Sequence, residues 1–379
     1  MPAPDGRIRQ EPGGEHGVLL IDSSWQAAEG ESDMEHRIGI LGTGAFLPPA
    51  VRTNAEVGAS TGISPEWIAE RTGVRRRHVA GPGQATSDLA AEAVREALDC
   101  AGIVAEQLDL LVLATSTPDE LGPSTACRVQ ATLGARNAVA FDVSAACSGW
   151  LFATRVARDW LLGDPGARYA AVVGCEVYSP FIDATDRPTA VLFADGAAAT
   201  VMGPVSADEG FGDITLGSDG RRAGDVLIPA GGSRRPASAA TLADGGHHIA
   251  MDGRAVRDFI VDIVPRAVVT ALEQADLALG EVDVVVMHQP NPVLLRGVGE
   301  SLGIDPDRLV VIGDRVGNIG AGSLPFGLAH AAAEGRIKAG DRVLLVGFGA
   351  GLTWGSTVLT WSGTARPARS PLLAAAYGP

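Results

Sequence analysis

At 379 residues, 46% of them apolar, the chain is long enough for two ordinary domains or one large α/β unit with an extensive core. A formal net charge of −15 argues against non-specific binding to nucleic acid or anionic membranes, and no apolar run approaches the roughly 20 residues of a membrane span. The chain starts without the basic stretch and apolar core of a secretory signal, and its four cysteines lack metal-ligand or disulfide spacing, so a cytoplasmic protein with reduced thiols and no bound metal is expected.

Residues 1–36, rich in Gly, Pro, Glu and Asp, are expected to form a disordered tail. From Arg37 the chain carries two copies of one pattern, an organisation to be sought before separate domains are assigned. In the first copy, expected to span 37–205, a helical run at 87–94 leads through Ala101-Gly102 to a strand at 108–114. A second helix ends at Leu133-Gly134, the apolar run 138–143 delivers Cys147 to a helix start, and a further strand covers 167–174. In the second copy, expected to span 206–362, a helix at 256–274 leads through Ala275-Asp276 to a strand at 282–288. A helix then ends at Leu302-Gly303, a strand reaches Asn318, and another covers 340–347. Residues 231–246 read as an exposed loop, and 363–379 as a second disordered tail. Continuous apolar strands suit sheets covered on both faces. Two such sheets around a central helical layer would bring Cys147, His288 and Asn318 together at strand ends.

Cys147, in Ser144-Ala145-Ala146-Cys147-Ser148-Gly149, stands where unpaired helix N–H groups favour a thiolate nucleophile. A lone cysteine there reads more readily as a small buried residue, which is how Cys100, Cys127 and Cys175 are read, and it is the downstream His288 and Asn318 segments that overturn this reading for Cys147. His288, in Met287-His288-Gln289-Pro290-Asn291, and Asn318, in Val316-Gly317-Asn318-Ile319-Gly320, would supply an imidazole and an amide to the same site. Taken alone, Asn318 also fits a loop residue tolerating positive φ between glycines.

The motifs Ile40-Leu41-Gly42-Thr43-Gly44, Glu66-Trp67-Ile68, Arg71-Thr72-Gly73-Val74-Arg75, Ala145-Ala146-Cys147-Ser148-Gly149, Thr185-Asp186-Arg187, His288-Gln289-Pro290-Asn291, Gly317-Asn318 and Gly347-Phe348-Gly349-Ala350 occur in one order. Across about residues 37–362 the chain resembles the thiolase-fold condensing enzymes, and most nearly the β-ketoacyl-acyl carrier protein synthase III family. The resemblance implies an α/β fold of duplicated βαβαβαββ halves in five layers, α-β-α-β-α. It implies a triad of Cys147, His288 and Asn318, with the backbone N–H groups of Cys147 and Ala350 as oxyanion hole. Cys147 would take an acyl group from acyl-CoA, a substrate rather than a resident cofactor. Condensation with a malonyl thioester, on acyl carrier protein or coenzyme A, would then release carbon dioxide and start a fatty-acid or polyketide chain. A neutral amide at Asn318 favours decarboxylation, because a carboxylate would repel the enolate. Trp67 and Arg187 match the positions that clamp the adenine, Arg71 a phosphate-facing position and Asn291 a pantetheine contact. A homodimer is implied, with the acyl pocket lined by Phe348 and, across the dimer, by the residue at position 122.

Two features depart from the family pattern. Basic residues beside the tunnel mouth are thinned out, leaving Arg254, Arg257 and Arg296 as either a rebuilt carrier-protein patch or solvated charges. Gly122 stands where acetyl-preferring relatives carry a bulky aromatic, so the pocket lacks that wall. Two other readings keep the fold: an acyltransferase that passes the acyl group to an alcohol, amine or carrier thiol without decarboxylation, and a non-catalytic partner subunit that binds acyl thioesters.

Overall fold

Apolar residues alternate along the first sheet so that each face meets its own helices. The computed structural model describes residues 37–363; the tails expected at 1–36 and 363–379 lie outside the described residues, apart from Gly363. The first half opens with β1 (Arg37–Phe46), followed by β2 (Ala50–Thr53), α1 (Asn54–Thr61), α2 (Pro65–Thr72) and β3 (Arg76–Val79), β2 and β3 forming a side hairpin. Then come α3 (Thr86–Ala101), β4 (Leu110–Ala114), α4 (Thr125–Leu133), β5 (Val139–Val143), α5 (Gly149–Gly163), β6 (Ala170–Glu176), α6 (Arg187–Ala190) and β7 (Gly196–Val205). The strands pair in the order β1-β7-β6-β4-β5, with β4 parallel to β5 and β6, and β7 antiparallel to β1 and β6.

The second half adds β8 (Gly210–Phe211), β9 (Thr215–Ser218), β10 (Val226–Leu227), α7 (Ala239–Ala243), β11 (Ala250–Met251), α8 (Gly253–Ala275), β12 (Val284–Met287) and α9 (Pro292–Ser301). It ends with β13 (Leu309–Val310), α10 (Gly313–Val316), α11 (Ser323–Ala333), β14 (Arg342–Gly349) and β15 (Thr353–Thr360). Its sheet runs β13-β12-β14-β15-β8, with β9 also on β15, and β12 is parallel to both β13 and β14. The second sheet therefore repeats the first in strand order and direction.

Leu110 and Val112 of β4, with Val284 and Val286 of β12, face a shared core filled by Trp150 and Leu151 of α5 and by Leu324, Phe326 and Leu328 of α11. The intervening residues Leu111 and Leu113 point the other way, toward Leu89, Ala93, Val94 and Ala97 of α3, as the two-residue strand period requires. Val285 and Met287 likewise meet Phe259, Ile263 and Val264 of α8 and Leu295 of α9. The result is five layers, helix, sheet, helix, sheet, helix. The innermost layer holds α11, which is buried almost all round, as its apolar sequence requires. Helix α3 can lie directly on β1 because Gly42 and Gly44 carry no side chain. A Cβ at Gly42 would stand 2.4 Å from the Ala97 carbonyl oxygen, and one at Gly44 2.2 Å from that of Ala93.

Three local expectations change. The strand expected to reach Asn318 stops at Val310, because Gln289 Oε1 accepts the next backbone donors, from Ile312 at 3.0 Å and Gly313 at 3.3 Å. Within the expected loop at 231–246, Ser238 caps the short helix α7, although the segment remains largely exposed. Cys127 is exposed, whereas Cys100 and Cys175 are buried. Helix α4 buries Ala126 and Val129, and a step of one residue turns Cys127 away from that face.

Candidate active site

The nucleophile turn is held by the far end of the other sheet. After β5, Ala146 takes a left-handed φ of 47° and a 3₁₀ turn, Ala146–Ser148, sets Cys147 at the entrance to α5. Gly349, at the end of β14, lies so close that a Cβ there would stand 2.7 Å from the Cys147 nitrogen and 3.0 Å from its Cβ. Thr353 Oγ1 ties the two together, at 2.7 Å from Ser148 Oγ, 3.0 Å from the Ala145 carbonyl oxygen and 2.9 Å from that of Ala350. Ala350 thus follows the strand end that touches Cys147, and its φ is not positive, so an alanine sits there without backbone strain.

Burial pushes the Cys147 thiol up to about 12, with the nearby Glu176 carboxyl adding to the effect and the Tyr178 hydroxyl opposing it. The resting residue is therefore a thiol, and the position at a helix start does not by itself deliver the expected thiolate.

His288 follows β12, and its backbone N–H donates to the Val346 carbonyl at 2.9 Å. The ring stands edge-on to Phe348, centroids 5.2 Å apart, and burial lowers its pKa to about 3. Its Nδ1 is buried without a hydrogen-bond partner. An N–H buried without an acceptor costs more than an unused lone pair beside apolar atoms, so the proton belongs on Nε2. His288 is thus a neutral imidazole able to donate from Nε2.

Asn318 lies between Gly317 and Ile319, and the positive φ values fall on Gly317, at 80°, and Gly320, at 53°, not on the asparagine. Its backbone is pinned on both sides, N–H to the Leu192 carbonyl and carbonyl from the Ala194 N–H, each at 2.9 Å. Oδ1 accepts from the Gly320 N–H at 2.9 Å. That leaves the NH₂ group as the donor. Gln289, which sequence reading passed over, fixes the loops of both residues. It is fully buried and donates from Nε2 to the Met287 and Val310 carbonyls, both at 2.9 Å, while Oε1 takes Ile312 and Gly313.

Cys147, His288 and Asn318 line one cavity of about 930 Å³, together with Phe348 and Ala350. Two profiles of one family match the chain: "3-Oxoacyl-[acyl-carrier-protein (ACP)] synthase III" at residues 141–220, and the C-terminal part of the same synthase at residues 272–361. A β-ketoacyl-[acyl-carrier-protein] synthase III of Symbiobacterium thermophilum is 43% identical over 327 residues, covering 86% of this chain and 98% of the relative. The chain belongs to the β-ketoacyl-acyl carrier protein synthase III family. Among solved structures, that synthase from Thermus thermophilus superposes with a TM-score of 0.79 at 40% identity, covering 86% of this chain and 99% of the other. The priming β-ketosynthase of the R1128 polyketide pathway gives 0.79 at 31% identity, covering 88% and 99%. The fold is thus that of the family's thiolase-like condensing enzymes, and the reaction class is decarboxylative, acyl-primed condensation at the start of a fatty-acid or polyketide chain.

In this synthase III chain the remaining expected residues divide into two groups. Arg71 and Asn291 line the cavity. Asn291 Oδ1 caps α9 by accepting from the Leu294 N–H at 3.0 Å, which leaves its NH₂ for a ligand. Trp67, one helical turn before Arg71 on α2, is 44% exposed and stands outside the cavity lining. Arg187 is outside it too, its Nε donating to the Thr61 carbonyl at 3.1 Å. Gly122 is exposed with no atom within 4 Å of where a Cβ would be, so within one protomer it is no part of the pocket. Of the three basic candidates at the mouth, only Arg257 lines the cavity, and all three are exposed. Among the described residues no group of three or more His, Cys, Asp or Glu side chains could hold a metal ion. No described helix is long and apolar enough to cross a membrane.

Proposed function

We propose that the chain is an acyl-CoA-primed β-ketoacyl synthase III in which Cys147 carries the acyl group. The observation that carries this reading is one cavity lined by a thiol, a neutral Nε2 donor and an amide donor. In the first half-reaction the Cys147 sulfur attacks the acyl-CoA carbonyl, the carbon–sulfur bond to coenzyme A breaks, and the thiol proton leaves with the departing thiolate as free coenzyme A. The backbone N–H groups of Cys147 and Ala350 receive the oxyanion. In the second, a malonyl thioester loses carbon dioxide, and its enolate oxygen is held by His288 Nε2–H and the Asn318 NH₂. The enolate carbon then attacks the Cys147 thioester and the cysteine sulfur leaves.

Arg71 and Asn291 are the residues offered to the phosphates and pantetheine of the incoming thioester, with Trp67 and Arg187 closing on the adenine when it is present. A homodimer and a cytoplasmic setting complete the reading. Support for a dimer surface comes from β5, the outermost strand of its sheet, where Val139 is 47% exposed, and from Leu121, 86% exposed.

The test is intact-mass spectrometry of the protein incubated with an acyl-CoA panel, then with carboxyl-labelled malonyl-acyl carrier protein or malonyl-CoA. The expected result is a hydroxylamine-labile acyl adduct, absent in Cys147→Ala, followed by labelled carbon dioxide and a β-ketoacyl product. An adduct that persists in Cys147→Ala moves the chemistry to another nucleophile. Transfer of the acyl group to an acceptor with no carbon dioxide released makes the protein a plain acyltransferase.

A further inference from the structure

Behind the loop that carries Asn318 lies a buried cation that the reaction described above does not use. Arg77, in the short strand β3, has no exposed surface, and its guanidinium hydrogen-bonds only to neutral acceptors. Nε and Nη2 both donate to the Val191 carbonyl, at 3.2 and 2.5 Å, and Nη1 donates to Asn54 Oδ1 at 2.6 Å. Asn54 is turned toward it by donating from Nδ2 to the Val74 carbonyl at 2.9 Å. Burial lowers the arginine to about 10, with the positive charge of Arg52 adding to the effect, so the group is still charged at neutral pH. An apolar side chain would fill the same space without desolvating a charge, but it could not hold one carbonyl with two N–H groups of a planar fork.

Val191 opens the segment against which Asn318 is laid. The Leu192 carbonyl accepts the Asn318 N–H, the Ala194 N–H donates to the Asn318 carbonyl, each at 2.9 Å, and Phe193 bridges Asn318 as in a parallel sheet. The arginine stem reaches the same loop from its other end, since a Cβ at Gly317 would stand 3.3 Å from Arg77 Cγ and 2.8 Å from Ala194 Cβ. Its neighbours stitch the strand in place: the Arg75 N–H donates to the Asp314 carbonyl at 2.8 Å, and the Asp195 N–H to the His78 carbonyl at 2.9 Å.

We propose that Arg77 is a positioning residue for decarboxylation, whose guanidinium fixes the Val191 carbonyl and, through segment 192–194, the direction of the Asn318 amide. The proposal rests on Asn318 being the enolate donor. A carbonyl held by two N–H groups resists rotation of its peptide, and the next peptide supplies the acceptor for Asn318. The Gly320 N–H holds Oδ1 from the opposite side, so the NH₂ is aimed by contacts on both flanks. None of the guanidinium's hydrogen bonds goes to the turns of Cys147 or Ala350, so the arginine serves one half-reaction and not the other.

The experiment measures carbon dioxide release from malonyl-CoA and acyl-enzyme formation from acetyl-CoA in wild type, Arg77→Met, Arg77→Lys, Asn318→Ala and the double variant Arg77→Met/Asn318→Ala. Misplacing a reacting group by about 1 Å costs up to about 10² in rate, so kcat for decarboxylation should fall by about tenfold to a hundredfold in Arg77→Met, with KM and acylation held within about threefold. Arg77→Lys, which keeps the charge and a point donor but not the fork, should recover part of the loss. In the Asn318→Ala background the same arginine substitution should cost less than about twofold, because an amide that is gone cannot be misplaced. Equal losses in both half-reactions, or the same loss with and without Asn318, overturn the proposal. If Arg77→Met is misfolded by circular dichroism, Asn54→Ala decides, since it removes the Nη1 acceptor; a smaller but selective loss of decarboxylation is expected, and an unchanged rate overturns the proposal. A wild-type protein that releases no carbon dioxide from malonyl-CoA removes the proposed function instead. Hydrogen exchange of the peptide carrying Asn318 still judges the arginine: it should quicken by about threefold or more in Arg77→Met, and unchanged exchange overturns the contact's role.

Discussion

Replacing Asn318 by aspartate isolates the amide's chemical role, because the structure leaves its architectural role intact. Asn318 Oδ1 accepts from the Gly320 N–H at 2.9 Å, and an aspartate offers the same oxygen to the same donor. The backbone bonds to Leu192 and Ala194 do not involve the side chain. What changes is the second terminal atom, from an NH₂ facing the cavity to an oxygen. Loss of one preorganised donor costs about 10² to 10³ in rate, and a negative oxygen facing a malonyl carboxylate and a developing enolate adds repulsion. Decarboxylation by Asn318→Asp should therefore fall by at least about 10³ near pH 8, whereas acylation, for which backbone donors are proposed, should fall by less than about tenfold. Burial at 4% exposure will raise the pKa of the new carboxyl. As pH falls through that value the neutral acid regains an O–H donor, so residual decarboxylation should climb toward low pH, and Asn318→Ala should show no such climb. The assay is carbon dioxide release from malonyl-CoA across pH, set against acyl-enzyme formation by intact mass. Equal losses in the two half-reactions would refute the assignment of Asn318 to the enolate.

Gly349→Ala places a Cβ 2.7 Å from the Cys147 nitrogen, a backbone contact that cannot swing aside, so acylation kcat/KM should drop by tenfold or more, and an unchanged value would show that the nucleophile turn is not held by β14. Because His288 is lowered to about 3 in the fold and regains an ordinary value near 6.5 when unfolded, its contribution to stability is complete above about pH 6.5 and is lost as pH falls toward 3. His288→Asn should flatten the pH dependence of the urea midpoint between about pH 6.5 and 4, leaving the share of His330, lowered to about 4, and of His78, also lowered; identical slopes in wild type and variant would contradict the burial argument. If sedimentation gives a homodimer, Gly122→Phe should shift acylation kcat/KM from longer or branched primers toward acetyl, since each excluded methylene is worth roughly 1 kcal/mol, and an unchanged chain-length profile removes Gly122 from the pocket.

The layers were legible in the sequence wherever one element's own pattern decides its partners. Leu110 to Leu113 alternate between two cores, and Leu89, Ala93 and Ala97 repeat at helical spacing, so strand and helix announce their buried faces without tertiary information. Cys147, His288 and Asn318 were legible for a different reason: each sits in a local motif beyond an apolar run, and the internal repeat says that equivalent strand ends meet. The strand expected up to Asn318 failed because its competitor is not local. Gln289 takes the backbone donors of Ile312 and Gly313 from 23 and 24 residues away, and no propensity of 309–316 records that.

The same distinction separates the one residue of the site whose role was missed. Gln289 stands in a motif without a role of its own there, since a glutamine after a histidine reads as packing. It acquires that role only through what the fold sets against it. Gln289 meets two loops with four hydrogen bonds. Cys127 makes the converse case, for it lies in a helical pattern suited to burial and is exposed because α4 turns Ala126 and Val129 inward. A motif therefore marks where chemistry happens, while the groups that hold or polarise it are chosen by contacts between segments distant in sequence.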